Sequence, residues 1–323
     1  MSLIQQTIKL HVHGLKSSPK GWCTINCPMC LAFGQPRPDT KRRGGFRFDT
    51  DGATAYHCFN CGFKVRWQPG QGMGHKLKTL LRQIGVDEGE VQRINLQLMS
   101  ERNDDIVIER QEKVIWKPEW PAIEIPGSCN LTCEAVEYLD QRKMTKLAEW
   151  YYCDAKFWNI DKRVILPYTW QGNTVGYAAR WIGQPPKGTA KILRKAPTDF
   201  VFNLDPQGEP RKFVLVVEGE FDALAVNGVA VLHNDISPKQ AQLISDLDVE
   251  PIVVPDKDRS GMKLIERALE LGWSVSFPDW DNGIKDAADA VNAYGRIATL
   301  NSILQAREDN ALKIKIMSRK ING

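Results

Sequence analysis

Phe213-Val-Leu-Val-Val-Glu218-Gly219-Glu220-Phe221-Asp222-Ala-Leu-Ala225 decides the reading of this chain, together with its downstream counterpart Ile252-Val-Val-Pro-Asp256-Lys257-Asp258. In both, an apolar run of strand length stops at carboxylates. The first continues through Glu-Gly into a helical segment, the second through Arg259-Ser260-Gly261 into another. In an open parallel sheet, ligands sit in the crevice beyond the carboxyl ends of the strands. Two adjacent strands ending there would bring Glu218, Asp222, Asp256 and Asp258 into one small volume. Clustered carboxylates are costly unless a cation neutralises them, and hard oxygen donors select Mg²⁺ or Mn²⁺. The pattern points to metal-assisted phosphoryl chemistry. Either half alone is weak, since an Asp-x-Asp is commonly a solvated turn; the pair is the signal.

Around these two stretches the periodicity alternates. A strand over Val229–Leu232 follows the first, and Ser237-Pro238 opens a helix with proline in its first turn. Strand 251–255, helix 260–271, strand 273–277 and helix 286–294 complete the series. Short connections between alternating strands and helices specify a parallel sheet flanked by helices. The tail from Ala306, with Arg307, Lys313, Lys315, Arg319 and Lys320, reads as basic and irregular, either a docking tail or disordered. Upstream, Arg163–Tyr168 and Thr174–Arg180 flank Gln171-Gly172-Asn173, a hairpin by turn chemistry. Residues 129–152 carry a helical pattern with Ala135, Val136 and Leu139 on one side, and Cys129, Cys133 and Cys153 read as small core residues.

Towards the N-terminus, Cys27-Pro-Met-Cys30 and Cys58-Phe-Asn-Cys61 form two CxxC knuckles with 27 residues between the inner cysteines. Two such knuckles supply four thiolates to one tetrahedral Zn²⁺. Alternating segments around Asp49-Thr-Asp-Gly52 suggest a β-hairpin between them, hence a zinc ribbon. Cys23 reads as a small buried residue or a thiol behind the ligands, and His57 as a strand residue. The basic loop Lys41-Arg42-Arg43, with Arg47 and the aromatics Phe46, Phe48, Tyr56, Phe59 and Phe63, suits single-stranded nucleic acid, where bases stack and cations track phosphates. Some of those rings are expected in the ribbon's own core.

Between ribbon and sheet, Gln68–Gly74 reads as a flexible joint. Leu77, Leu80, Leu81 and Ile84 then mark a short amphipathic helix ended by Gly85. Residues 100–127, punctuated by Pro118, Pro121 and Pro126, read as a tether that Trp116 and Trp120 pin to a domain surface or present to a partner.

The bulk numbers agree with this division. A chain of 323 residues has room for two domains. Net charge is +4, but residues 1–75 carry a surplus of seven positive charges and residues 218–290 a deficit of nine. A basic front and an acidic rear suit a protein that holds a polyanion in one place and metal in another. Five of the eight cysteines fall between Cys23 and Cys61; with no apolar run of membrane length and no leader-like start, they read as metal ligands in a cytoplasmic protein.

The Glu-Gly-x-x-Asp element paired with Asp-x-Asp resembles the Toprim domain, shared by DnaG-type primases, topoisomerases, and some nucleases and recombination proteins. A zinc ribbon ahead of it is the order found in DnaG-type primases, and the short length is most like the compact, helicase-associated primases of tailed phages. The resemblance implies a ribbon over 1–70, a helical segment and linker over 71–127, the amino-terminal half of an RNA polymerase core over 128–212, a Toprim domain over 213–300 and a basic tail over 301–323. It further implies that Arg180 and Lys191, supported by Arg194 and Lys195, hold nucleotide or template phosphates, and that Asp286 in Lys285-Asp286-Ala-Ala-Asp289 joins the metal site, with Asp289 the doubtful one. Ile192 stands where the family has tyrosine, which weakens the match at Lys191. The implied activity is synthesis of RNA primers from ribonucleoside triphosphates on single-stranded DNA, beside a replicative helicase. A Toprim nuclease using the same acids, or a non-catalytic module that binds DNA and recruits a helicase, are the alternatives.

Overall fold

The computed structural model describes residues 1–18, 21–101, 118–153, 160–208, 211–257 and 261–319. The chain divides into two compact units, one of Met1–Trp116 with Ser237–Glu250 and Glu270–Gly272, the other of Lys117–Ile236 with Pro251–Leu269 and Trp273–Gly323.

The first unit opens with α1 (Leu3–His11), capped by the Ser2 side chain, which accepts from the Gln5 N–H. Ile4 and Ile8, one helical turn apart, are fully buried. An antiparallel meander follows in chain order: β1 (Lys16–Ser17), β2 (Trp22–Ile25), β3 (Gly44–Phe48), β4 (Thr54–Cys58) and β5 (Lys64–Trp67). Paired residues share a face of a sheet, so the register Phe46↔Tyr56↔Val65 builds one apolar side. Phe46 and Tyr56 are buried there with Phe63, ring centroids 4.8 Å and 6.0 Å apart, whereas Phe59 is 72% exposed. The aromatics thus divide between core and surface. The glycine-rich stretch after β5 forms a turn in which the Trp67 indole donates to the Gln71 carbonyl at 3.0 Å and Met73 is buried. Helices α2 (His75–Gln83) and α3 (Glu88–Ser100) complete this segment, and α2 buries Leu77, Leu80 and Leu81 against its own chain.

The second unit begins, after α4 (Cys133–Gln141), with an antiparallel sheet of β6 (Tyr151–Cys153), β7 (Arg163–Trp170), β8 (Asn173–Trp181) and β9 (Ile192–Lys195). The helical pattern expected to run through Tyr152 stops at α4. Lys143 takes a left-handed φ of 55° beyond it, and the β-favouring Tyr151 and Tyr152 pair with Ile165 and Val164 instead. The β7–β8 hairpin turns at Gln171-Gly172, both at positive φ, as a tight two-residue hairpin requires. Trp120 packs edge-on against Trp170 and Phe200, each at 5.1 Å, which ties its segment down. Trp116 lies outside the described residues.

An α/β segment follows: β10 (Phe213–Val217), α5 (Glu220–Val226), β11 (Val229–Ala230), α6 (Pro238–Ser245), β12 (Glu250–Val253), α7 (Gly261–Leu271), β13 (Ser274–Ser276), α8 (Ala287–Tyr294), α9 (Arg296–Gln305), β14 (Arg307–Glu308) and α10 (Ala311–Ser318). Strand order is β11-β10-β12-β13-β14. β11 runs parallel to β10 and β13 parallel to β12, whereas β14 pairs antiparallel with β13 through Val275↔Glu308 and Ser276↔Arg307. The sheet is therefore mixed, closed at one edge by the segment whose charge suggested an irregular tail. That tail also holds α10, capped by Asn310, whose side chain accepts from the Leu312 and Lys313 N–H groups. Val214–Val217, Ile252, Val253 and Val275 form the buried centre of the sheet. Helix α6 belongs to the first unit and carries the expected start: the Ser237 side chain accepts from the Gln240 N–H and the Gln240 side chain accepts from the Ser237 N–H. Just past its end, Asp246 forms a buried 2.8 Å ion pair with Lys76 of α2. No helix among the described residues is long and apolar enough to cross a membrane.

Candidate active site and metal centre

In the ribbon, the loop before β3 and the turn after β4 bring Cys27, Cys30, Cys58 and Cys61 together with their ligating atoms within 4.8 Å of one another, all four buried. A tetrahedral ion with Zn–S bonds of about 2.3 Å sets its sulfurs about 3.8 Å apart. The Sγ pairs Cys27–Cys61 and Cys30–Cys58 are each 3.8 Å apart. Backbone N–H groups of Met29 and Asn60 point at the Cys27 and Cys58 sulfurs at 3.4 Å, and the Asn60 amide donates to Cys30 Sγ at 3.3 Å. Without a cation these thiols cannot all ionise: the hydrogen bond from Cys61 draws Cys27 down to about 6, whereas burial pushes Cys30 up to about 12. The donor set fits zinc. Cys23 lies apart on β2 with its sulfur 3.7 Å from Ser17 Oγ, and the His57 ring is tilted against Phe59, centroids 4.4 Å apart.

Asp39 organises the first knuckle, a role that only the three-dimensional arrangement reveals. Its buried carboxylate accepts N–H bonds from Cys27, Lys41 and Arg43 and a side-chain bond from Arg43 Nε. Burial alone would raise its pKa, but these four donors outweigh burial and hold it at about 2. The basic loop is accordingly less available than its composition implies. Arg43 also donates to Asn60 Oδ1, and Arg42, at a left-handed φ of 54°, gives its guanidinium to the Thr24 and Gly14 carbonyls. Lys41 and Arg47 are the exposed members, with Arg47 bonded to Asp49 at 3.0 Å.

In the second unit, Glu218, Asp222, Asp256 and Asp286 line one cleft of about 360 Å³. Glu218 follows β10, Asp256 follows β12, Asp222 sits in the first turn of α5 and Asp286 caps α8, so two strand ends and two helix starts converge. Asp222 is buried and accepts the Ala288 N–H at 2.9 Å. Burial first, then the charges of Asp286 and Asp256, raise its pKa well above the usual carboxylate value. Asp286 is raised too, chiefly by burial, although the Asp289 N–H at 2.7 Å opposes this. Gly219 is needed beside them, because a Cβ there would stand 2.9 Å from Asp222 Oδ2. Acids that repel one another in this way fit a divalent cation. Among the described residues, however, only the cysteines form a cluster of three or more ligating atoms within 4.8 Å; the acids ring the cleft more loosely. Asp258 lies outside the described residues. Asp289 spends its backbone N–H capping on Asp286 and is not part of the cleft lining.

Cations line the same cleft. Arg180 donates to the Tyr138 hydroxyl at 2.8 Å and lies over the Phe221 ring at 4.5 Å. Arg142, which no motif singled out, lies over the Tyr138 and Phe221 rings at 5.7 Å and 5.8 Å. Arg194 is a lining residue as well, paired with Glu220. Lys191 is pulled below the usual lysine value by burial and then by the charges of Arg180 and Arg142. Lys195 is exposed at the end of β9 and is not part of the cleft lining. Arg163, completely buried, donates to the carbonyls of Ala179, Ala190 and Lys191 and so anchors the segment that carries these cations. The loop after β11 adds His233, Asn234 and Leu232, the last at a left-handed φ of 66° that a branched-chain residue adopts only under strain. Their position beyond a strand's carboxyl end was the one signal for them in the sequence.

No protein-family model and no curated protein matches the chain. Solved structures do. The zinc-binding and RNA polymerase domains of the Aquifex aeolicus primase match with a TM-score of 0.47 at 18% identity, over 94% of this chain and 83% of that one. A DnaG catalytic core matches with a TM-score of 0.44 at 22% identity, over 54% of this chain and 73% of that one. A DNA primase domain from Pseudomonas aeruginosa is similar with a TM-score of 0.40 at 21% identity, over 53% and 60% of the two chains.

Proposed function

We propose that this chain is a DNA primase, a DNA-templated RNA polymerase that starts short primers de novo on single-stranded template. The observation that carries the reading is the convergence of Glu218, Asp222, Asp256 and Asp286 on a cleft also lined by Arg142, Arg180 and Arg194. Acids beside cations in one cleft suit a triphosphate: the acids take the metal, the cations the phosphate oxygens. Residues 1–70 then serve as a template-gripping ribbon and 128–300 as the polymerase core.

Asp222, Asp256 and Asp286, with Asp258 from the same motif, would hold Mg²⁺ or Mn²⁺, which when bound supplies charge stabilisation at the phosphoryl group being transferred. Arg180 and Arg142, braced on Phe221 and Tyr138, bind the triphosphate and orient it for attack. Lys191, outside the cleft lining but near Arg180 and Arg142, would add a further phosphate contact beside them. Glu218 either joins the metal set or accepts the proton of the attacking 3′-hydroxyl. In the ribbon, Lys41 and Arg47 contact template phosphates, and Arg42 and Arg43 hold the loop in shape. The expected partner is a replicative helicase in the cytoplasm.

The test is incubation of the full chain with labelled ribonucleoside triphosphates, Mg²⁺ and a library of single-stranded templates. Extension products are expected; shortened templates with no extension would instead identify a nuclease.

A further inference from the structure

Glu220 lies inside the acidic motif, yet it faces a different partner from its neighbours. It is 2% exposed, at the start of α5, and its carboxylate meets the Arg194 guanidinium in a two-point contact, Nε to Oε1 at 2.6 Å and Nη2 to Oε2 at 2.9 Å. The Tyr168 hydroxyl donates to the same Oε1 at 2.5 Å. Tyr168 is itself fully buried, stacked on Phe200 at 5.2 Å and tilted against Phe202 at 5.5 Å. Both carboxylate oxygens are thus occupied, in a seat walled by packed rings. Arg194 leaves this seat to line the acidic cleft, with 30% of its side chain accessible. A planar guanidinium held at two points loses its freedom before any ligand arrives.

We propose that Glu220 is a positioning residue that presets Arg194 on the cleft wall to receive the triphosphate of an incoming nucleotide, and is not a metal ligand. The proposal rests on the polymerase reading above. It gives two acids that stand two positions apart in one motif different tasks: Asp222 faces the metal, Glu220 a cation. Neutralising Glu220 leaves a cation that is no longer oriented, so nucleotide binding suffers while metal use does not.

The experiment measures primer synthesis as a function of nucleotide and Mg²⁺ concentration for the wild type, Glu220→Gln, Arg194→Lys and the double variant Glu220→Gln/Arg194→Gln. The double variant removes both charges together and so leaves no buried charge unpaired. The apparent KM for nucleotide is expected to rise about tenfold in each, with kcat and the Mg²⁺ half-saturation unchanged, and the double variant no worse than the singles. A collapse of kcat with a raised Mg²⁺ requirement would make Glu220 a metal ligand and overturn the proposal. So would a lowered melting temperature with an unchanged KM, the mark of a purely structural pair. A wild type that neither extends primers nor binds Mg²⁺-nucleotide sinks the polymerase reading itself, a result distinct from either.

Discussion

Among the described residues, the four ribbon cysteines and the acids around the second unit's cleft are ligating groups built on opposite plans. The four cysteines come from two short knuckles, are buried, and have ligating atoms within 4.8 Å of one another. Their geometry is set by local turns and N–H···S bonds and leaves no position for a substrate. The acids come from four elements spread between Glu218 and Asp286, ring an open cleft and share it with three arginines. A closed set suits an ion held as part of the fold; a loose set in an open cleft suits one held during a reaction, where coordination positions must remain for substrate oxygens. The difference between structural and exchangeable metal thus lies in spacing and access more than in the charge of the ligands.

Breaking the closed set has the largest expected effect. Chelation, or Cys58→Ser, removes binding energy on the order of 10 kcal/mol that is also folding energy. Elemental analysis should read one zinc per chain before and none after. Limited proteolysis should then open the ribbon while the antiparallel sheet β6–β9 of the second unit stays protected; protection of the ribbon in the zinc-free protein would contradict a structural ion.

Asp256→Ala attacks the open set. Primer synthesis is expected to fall by more than about a hundredfold, with template binding and melting temperature close to wild type. An equal loss of template binding would point to misfolding and erase the contrast between the two centres.

The smallest effect tests exchangeability. Asp222 and Asp286 have folded-state pKa values raised above 3.8, both chiefly by burial, Asp222 also by the charges of Asp286 and Asp256. Their contribution to stability is fully present below that value and is lost as pH rises through the raised folded values. Mg²⁺ competes for the ionised forms, so it is expected to stabilise the chain more at about pH 8 than at about pH 5. At a hundredfold excess over its Kd the gain is about 2–3 kcal/mol. A calorimetric shift independent of pH would place the ion elsewhere.

Much of this was legible in residue order because its causes are local. A knuckle is four residues long, and the Ser237-Pro238 start and the Gln171-Gly172 turn each depend on a neighbour or two. The tail differs from its charge pattern for the same reason: Arg307 and Glu308 form a strand only because β13 offers an edge, and charge alone says nothing of that edge. Arg43 likewise looked like a phosphate contact until Asp39, four residues earlier, proved to be holding it. A cation's composition is visible in the chain, its partner is not.

By itself the sequence determined the paired four-cysteine set, the strand-then-carboxylate elements and the order ribbon before α/β segment, since each follows from spacing along the backbone. Tertiary structure alone decided which groups meet: Arg142 with the Phe221 ring, Arg194 with Glu220, Asp222 with Asp286. The physical reason is that Coulomb and hydrogen-bond energies depend on distances of a few ångströms between groups tens of residues apart, and only the folded chain sets those distances.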